Sequence, residues 1–133
     1  MNNIFYSRLL STGAFFGAIG VILGAFGAHF LKSRLEVTDL ETIRTAVLYL
    51  FIHVLITLII VLLARNAPDS RILRSAGILF VIGIIFFSGS LFILATEELT
   101  HIHGSFVAIF TPLGGLSFIL GWVMLFIYGF SRR

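Results

Sequence analysis

Tyr49 and His53 stand four residues apart inside a run that is otherwise almost wholly apolar. On a helix that spacing places a phenol and an imidazole on one face. A histidine in such a run is costly, and its usual employments are proton transfer, metal ligation or ligand binding. His29 closes an earlier apolar run, Ser88 and Ser90 lie inside a third, and Trp122 lies in a fourth. These six are the candidate ligand-binding residues, a few polar groups set against apolar walls. The plainer reading is a hydrogen-bonded cluster that fixes helix packing.

Several chemistries are excluded. His29 lies three residues from Lys32 and His53 nine from Arg44, so the two imidazoles differ in depth by about two turns. That argues against a shared metal or haem between two helices, and neither metal nor cofactor is expected. His101 and His103 are too close in sequence to share one helical face and are left unassigned. With no cysteine, disulfides and thiolate chemistry are absent. No acidic residue inside the apolar runs orients a histidine, so no nucleophile–base–orienter set exists and catalysis is not expected. The same lack of buried carboxylates and cations argues against a proton pump, an ion-coupled transporter or a charged filter.

The elements that must position these residues follow from composition. Of 133 residues, 59% are hydrophobic and 11% charged, and mean hydropathy is +1.11. So small a domain cannot hide that much apolar surface from water, so the bilayer is its solvent. Charged residues divide the chain into four apolar runs, about 9–31, 46–64, 76–96 and 106–130. Each is near the roughly 20 residues that cross a bilayer, and backbone in lipid must bond internally. The fold class is therefore all-α: one polytopic transmembrane four-helix bundle. The first run is too long for a signal core of about 7–15 residues.

Nine lysines and arginines give a net charge of +3. They sit at the ends of the apolar runs, as lipid headgroups favour, and no basic patch with interleaved aromatics suggests nucleic acid. Arg8, Arg65, Arg71, Arg74, Arg132 and Arg133 fall on one side; Lys32, Arg34 and Arg44 fall on the other. The positive-inside rule then places both termini in the cytoplasm of a cell with this protein in its inner membrane.

Gly13, Gly17, Gly20, Gly24 and Gly27 are spaced 4-3-4-3 and line one face of the first helix. Small residues let helices approach closely in lipid, where little hydrophobic force draws them together. The first helix is thus expected to be the central packing helix, its stripe meeting either the rest of the chain or a second copy or partner protein. Ala76, Gly83 and Ser90 in the third run, and Gly114, Ser117 and Gly121 in the fourth, are expected to supply the facing surfaces, with Gly89 and Gly115 as further packing positions. Thr38 with Glu41 forms a capping-box pattern that starts the second helix near Asp39. Asn66–Ser70 is a turn signal. Thr111-Pro112 has the form of a helix cap and first residue. The last helix then begins at Pro112, with Leu99–Phe110 re-entrant; the alternative is a longer helix kinked there.

Gly24-Ala-Phe-Gly-Ala-His29, Thr45 through Tyr49 to His53, Phe87-Ser-Gly-Ser-Leu-Phe92, and Thr111-Pro-Leu-Gly-Gly-Leu-Ser-Phe118 followed by Gly121-Trp122 occur in this order. Together they resemble the small four-span membrane proteins of unknown function typified by bacterial YgdD, which have mitochondrial relatives in animals. The resemblance implies an integral membrane protein. It points to His29, Tyr49, His53, Ser88, Gly89, Ser90, Thr111, Pro112, Gly114, Gly115 and Trp122. Many such proteins carry a glutamate before the tyrosine and a glutamine after it, where this chain has Leu48 and Leu50. That departure favours a packing role for Tyr49 and His53. The resulting expectation is a non-enzymatic protein that packs with itself or a larger membrane assembly. The alternative is binding or transport of a small lipid- or quinone-like molecule.

Overall fold

A computed structural model gives the fold and describes residues 4–101, 104 and 106–131. Arg132 and Arg133, used for topology, and His103 lie outside the described residues. The order is α1 (Ile4–His29), a 3-10 turn (Leu31–Ser33), α2 (Val37–Leu63) and α3 (Arg71–Gly83). A π-helical turn (Ile84–Ser88) joins α3 to α4 (Gly89–Ala95); α5 (Glu97–Thr100), a 3-10 turn (Val107–Ile109) and α6 (Phe110–Phe130) follow. No strand occurs among the described residues. Four helical segments are long and apolar enough to cross a bilayer: Ile4–Ser33, Val37–Leu63, Arg71–Ala95 and Val107–Phe130. Large apolar side chains such as Phe15, Ile22, Leu55, Ile119 and Phe126 point outward, as a lipid-facing surface requires.

The helices pair along two seams. In the first, α1 lies antiparallel on α2. Gly13, Gly17, Gly20, Gly24 and Gly27 meet Leu58, Val54, Leu50, Val47 and Ile43 in turn. Each step of three or four up α1 is matched by a similar step down α2, the signature of one continuous face. The stripe is therefore used within the chain.

Its five members are not equivalent, however. The approach is closest at Gly20, where a Cβ would lie 2.7 Å from Leu50 Cδ2 and 3.0 Å from Phe51 Cζ. A Cβ on Gly13 would stand 3.0 Å from Leu58 Cδ2, and one on Gly27 3.0 Å from Ile43 Cγ2. At Gly17 the nearest atom is Val54 Cγ1, at 3.6 Å, and at Gly24 it is Val47 Cγ1, at 3.5 Å. Those are ordinary contacts that an alanine could make. All five lie on the packing face as expected, but Gly13, Gly20 and Gly27 hold the tight approach, while Gly17 and Gly24 face valines with room to spare.

The second seam joins the third span to α6. A Cβ on Gly83 would enter the Phe118 ring, one on Gly114 would strike the Phe87 backbone nitrogen, and one on Gly121 would meet Phe80 Cε1 at 2.8 Å. Ser90 and Thr111 join their hydroxyls at 2.7 Å, and Ser117 donates to the Leu79 carbonyl at 2.7 Å. These interhelical bonds satisfy groups that lipid could not. Gly83, Gly114, Gly121, Ser90 and Ser117 thus join the third span to α6 and not to α1, which corrects the sequence expectation; Gly77 does face α1, where a Cβ would stand 2.7 Å from Leu9 Cδ2.

The central helix is also corrected. Only 17% of the most apolar stretch of α1 is buried, against 39% for α2. A single smooth stripe gives α1 one flat face for one partner, whereas α2 contacts α1, α3, the π turn and α4. The core follows α2, through Leu50, Val54, Ile60 and Val61, to Leu73, Phe80, Ile84 and Phe118.

Two helix starts differ from expectation. Helix α2 begins at Val37 with Glu36 at the N-cap and no side-chain cap bond, so Thr38 lies inside the first turn and the capping box does not form. Helix α6 begins at Phe110, directly after a 3-10 turn. Pro112 falls in its first turn, where a missing N–H costs nothing, and Thr111 bonds Ser90 rather than capping. No break occurs at Pro112, and Val107–Phe130 is one span. The turn at Asn66–Ser70 ends in Ser70, whose side chain caps α3 by accepting from the Leu73 amide at 3.3 Å.

Candidate functional site

His53 is buried on α2, and both ring nitrogens are engaged. Nδ1 lies 2.7 Å from the Tyr49 carbonyl one turn back, an acceptor only, so Nδ1 carries the proton and donates. Nε2 then presents its lone pair and accepts from the Trp122 indole at 3.3 Å. A second proton on Nε2 would face that N–H, so the pair of bonds fixes the neutral tautomer. The imidazole also stacks on Phe118, with ring centres 3.5 Å apart and planes 7° from parallel. Phe80 closes one side at 5.6 Å, and Trp122 meets Phe80 edge-on. Thr57 donates to the His53 carbonyl at 2.7 Å.

This aromatic stack does what backbone does not. The backbones of α2 and α6 approach each other only slightly, and His53, Phe118 and Trp122 fill the space between them. Phe118 can lie there because Gly83 has no side chain in its way. Tyr49 stacks on His53 at 5.8 Å and on Phe87 at 4.6 Å, but remains partly exposed at the edge of the cluster. Of the three residues expected to line a cavity, His53 is buried in the stack, while Tyr49 and Trp122 stand at its edge with 39% and 44% of their surface exposed.

A cavity lies elsewhere. Between α1, α2 and the third span is an apolar cleft of about 310 Å³, lined by Phe16, Leu23, Leu50, Ile84, Ser88 and Phe92 among others. Ser88 closes the π-helical turn, in which the Gly89 amide reaches back five residues to the Ile84 carbonyl. Such turns are rare and concentrate at functional sites. Ser88 is 4% exposed, and its hydroxyl has no hydrogen-bond partner among the described residues. A buried hydroxyl without a partner is unusual enough to require a reason. Gly89, beside it on the cleft, has open space where a Cβ would stand.

The six sequence candidates thus separate. His53, Tyr49 and Trp122 come together as a packed cluster, and Ser90 is satisfied by Thr111 and the Phe87 carbonyl. Ser88 alone reaches the cleft. His29 stands exposed at the end of α1, outside the cluster it was expected to join. Of the glycines assigned to packing, a Cβ on Gly89 would touch nothing, and one on Gly115 would stand at ordinary contact distance, 3.8 Å, from Phe87 Cδ2. Phe80, Phe87 and Phe118 complete the cluster without being site candidates in the sequence, because phenylalanine in an apolar run carries no local signal. No group of three His, Asp or Glu side chains that could hold a metal occurs among the described residues.

Residues 23–115 match the family described as "Protein of unknown function (DUF423)". They contain the glycine-rich end of α1, Tyr49, His53 and the π-helical turn. The chain belongs to this family. It is 36% identical over 113 residues to the UPF0382 membrane protein YwdK of Bacillus subtilis, covering 85% of this chain and 88% of that one. A UPF0382 membrane protein of Staphylococcus haemolyticus is 41% identical over 119 residues, covering 90% and 92%. The UPF0382 inner membrane protein YgdD of Escherichia coli is 34% identical over 119 residues, covering 90% and 86%. No solved structure matches. Family and helices agree that this is a multi-pass membrane protein.

Proposed function

We propose that this chain is a non-enzymatic membrane protein that receives the apolar body of a small lipid- or quinone-like molecule in the cleft beside Ser88. The observation that carries the reading is the unpartnered, buried Ser88 hydroxyl on an otherwise apolar cavity. One hydrogen-bonding group on apolar walls suits a ligand with a long apolar body and a carbonyl or hydroxyl. His53 and Trp122 serve the site from behind, holding α6 to α2. Assembly with a second copy loses the support that the glycine stripe lent it, because that stripe lies on α2.

Native mass spectrometry of protein released from native-lipid nanodiscs tests the proposal. Wild type should retain one adduct of a few hundred mass units. Gly89→Leu, which grows a side chain into open space, should fold and lose it. Ser88→Ala should weaken retention by about tenfold, the worth of one hydrogen bond. Adduct retained by Gly89→Leu, or bare wild-type protein, rejects the reading.

A further inference from the structure

The first loop breaks the charge asymmetry of the chain, since Lys32, Arg34 and Arg44 lie on the side that the positive-inside rule leaves poor in cations. Arg34 lies over the Phe30 ring, 4.4 Å from its centre. Lys32 and Arg44 have a different surrounding. Both line a second cavity, of about 500 Å³, with Gly24, Ile43, Leu48 and Phe51. Its lining shares only Val47 with that of the cleft beside Ser88. Glu41, the acidic neighbour one turn before Arg44, faces another groove with Thr38, Thr42 and Thr45. Among the described residues, no carboxylate lines the cavity itself.

The vertical order within this cavity is that of an amphiphile. Lys32 and Arg44 stand at the loop end. Leu48 and Phe51 follow Arg44 on α2, four and seven residues deeper into the apolar run, or about 6 and 10 Å along the axis. Gly24 and Gly27 hollow the α1 side. Two cations above an apolar trough complement a phosphate above an acyl chain. Basic pockets between transmembrane helices take anionic headgroups in this way.

We infer that the groove between α1 and α2 at the first loop binds an anionic phospholipid, with Lys32 and Arg44 on its phosphate and the acyl chain along Leu48 and Phe51. The site is independent of the cleft beside Ser88.

The test uses full-length protein in nanodiscs of phosphatidylcholine containing a minor fraction of phosphatidylglycerol, followed by native mass spectrometry. Wild type should retain phosphatidylglycerol in preference to phosphatidylcholine. Lys32→Gln/Arg44→Gln should weaken that retention by roughly thirtyfold, since each surface cation contributes about a fivefold factor toward anionic lipid. Arg65→Gln/Arg71→Gln loses the same charge away from the groove and should retain the lipid, as should Gly89→Leu. If the double variant fails to fold by circular dichroism, Lys32→Gln alone should show a roughly fivefold loss. Equal retention of the two lipids by wild type overturns the inference. So does undiminished phosphatidylglycerol on the groove variants, or an equal loss in Arg65→Gln/Arg71→Gln.

Discussion

His53 shows how a titratable side chain is accommodated where no water can reach it. Its proton goes to a carbonyl of its own helix, and its lone pair receives the Trp122 indole from α6. Trp122→Phe keeps an aromatic ring but leaves Nε2 without a donor. It should lower stability by about 1 kcal/mol, within the range of interhelical bonds in membranes. His53→Phe on that background should cost less than the two single changes added, because both ends of the bond are then gone. Thermal unfolding of the single and double variants in one detergent measures the coupling, and strict additivity would contradict the bond. The Tyr49–His53 spacing is legible in the sequence because it is local. The partner of His53 is not, since Trp122 is 69 residues away and four-span chains offer many aromatic residues.

At the level of helices, glycine matters by what stands opposite it. Gly114 faces backbone: a methyl group there would collide with the Phe87 amide and lie 2.8 Å from its Cα. Backbone cannot swing aside, so Gly114→Ala should separate α6 from the third span at a cost of about 1–3 kcal/mol. At Gly24 the nearest atom to an added Cβ is Val47 Cγ1, at 3.5 Å. Gly24→Ala should therefore change stability by no more than about 0.5 kcal/mol. Melting temperatures of the two variants decide, and equal effects would mean the seams are not as drawn. The 4-3-4-3 spacing announced a close approach, and the structure supplies it at Gly13, Gly20 and Gly27 more than at Gly17 and Gly24. A smooth stripe does not name its partner, however, and so α1 reads as central when it lies at the edge. The caps failed for a similar reason: Thr38 and Thr111 have the right neighbours in sequence, but the helices begin earlier than those patterns imply.

For the molecule as a whole, the number of spans was legible because 18 or more apolar residues in a row have few other uses. The cleft was not, because a cavity is a property of three helices together and its one polar residue, Ser88, looks like any helical serine. Orientation remains a reading of the flanking cations, and the lack of native cysteine makes it simple to check. Ser33→Cys, in the first loop, should react with an impermeant maleimide on intact cells. Asp69→Cys, in the second, should react only after the membrane is opened. The reverse pattern would turn the protein over and place both termini outside.

The π-helical turn also makes the length of the third span matter. Between Ile84 and Ser88 the chain holds one residue more than an ordinary helix would use. Everything from Gly89 onward is thereby turned by roughly 100°, the rotation of one helical residue. Ser90 reaches Thr111 because of that turn. A one-residue deletion in the Asn66–Ser70 loop would be absorbed locally. The same deletion between Ile84 and Ser88 would remove the extra residue and close an ordinary turn with Ser90 still on α6, whereas in α3, which has no residue to spare, it would rotate everything that follows by roughly 100°.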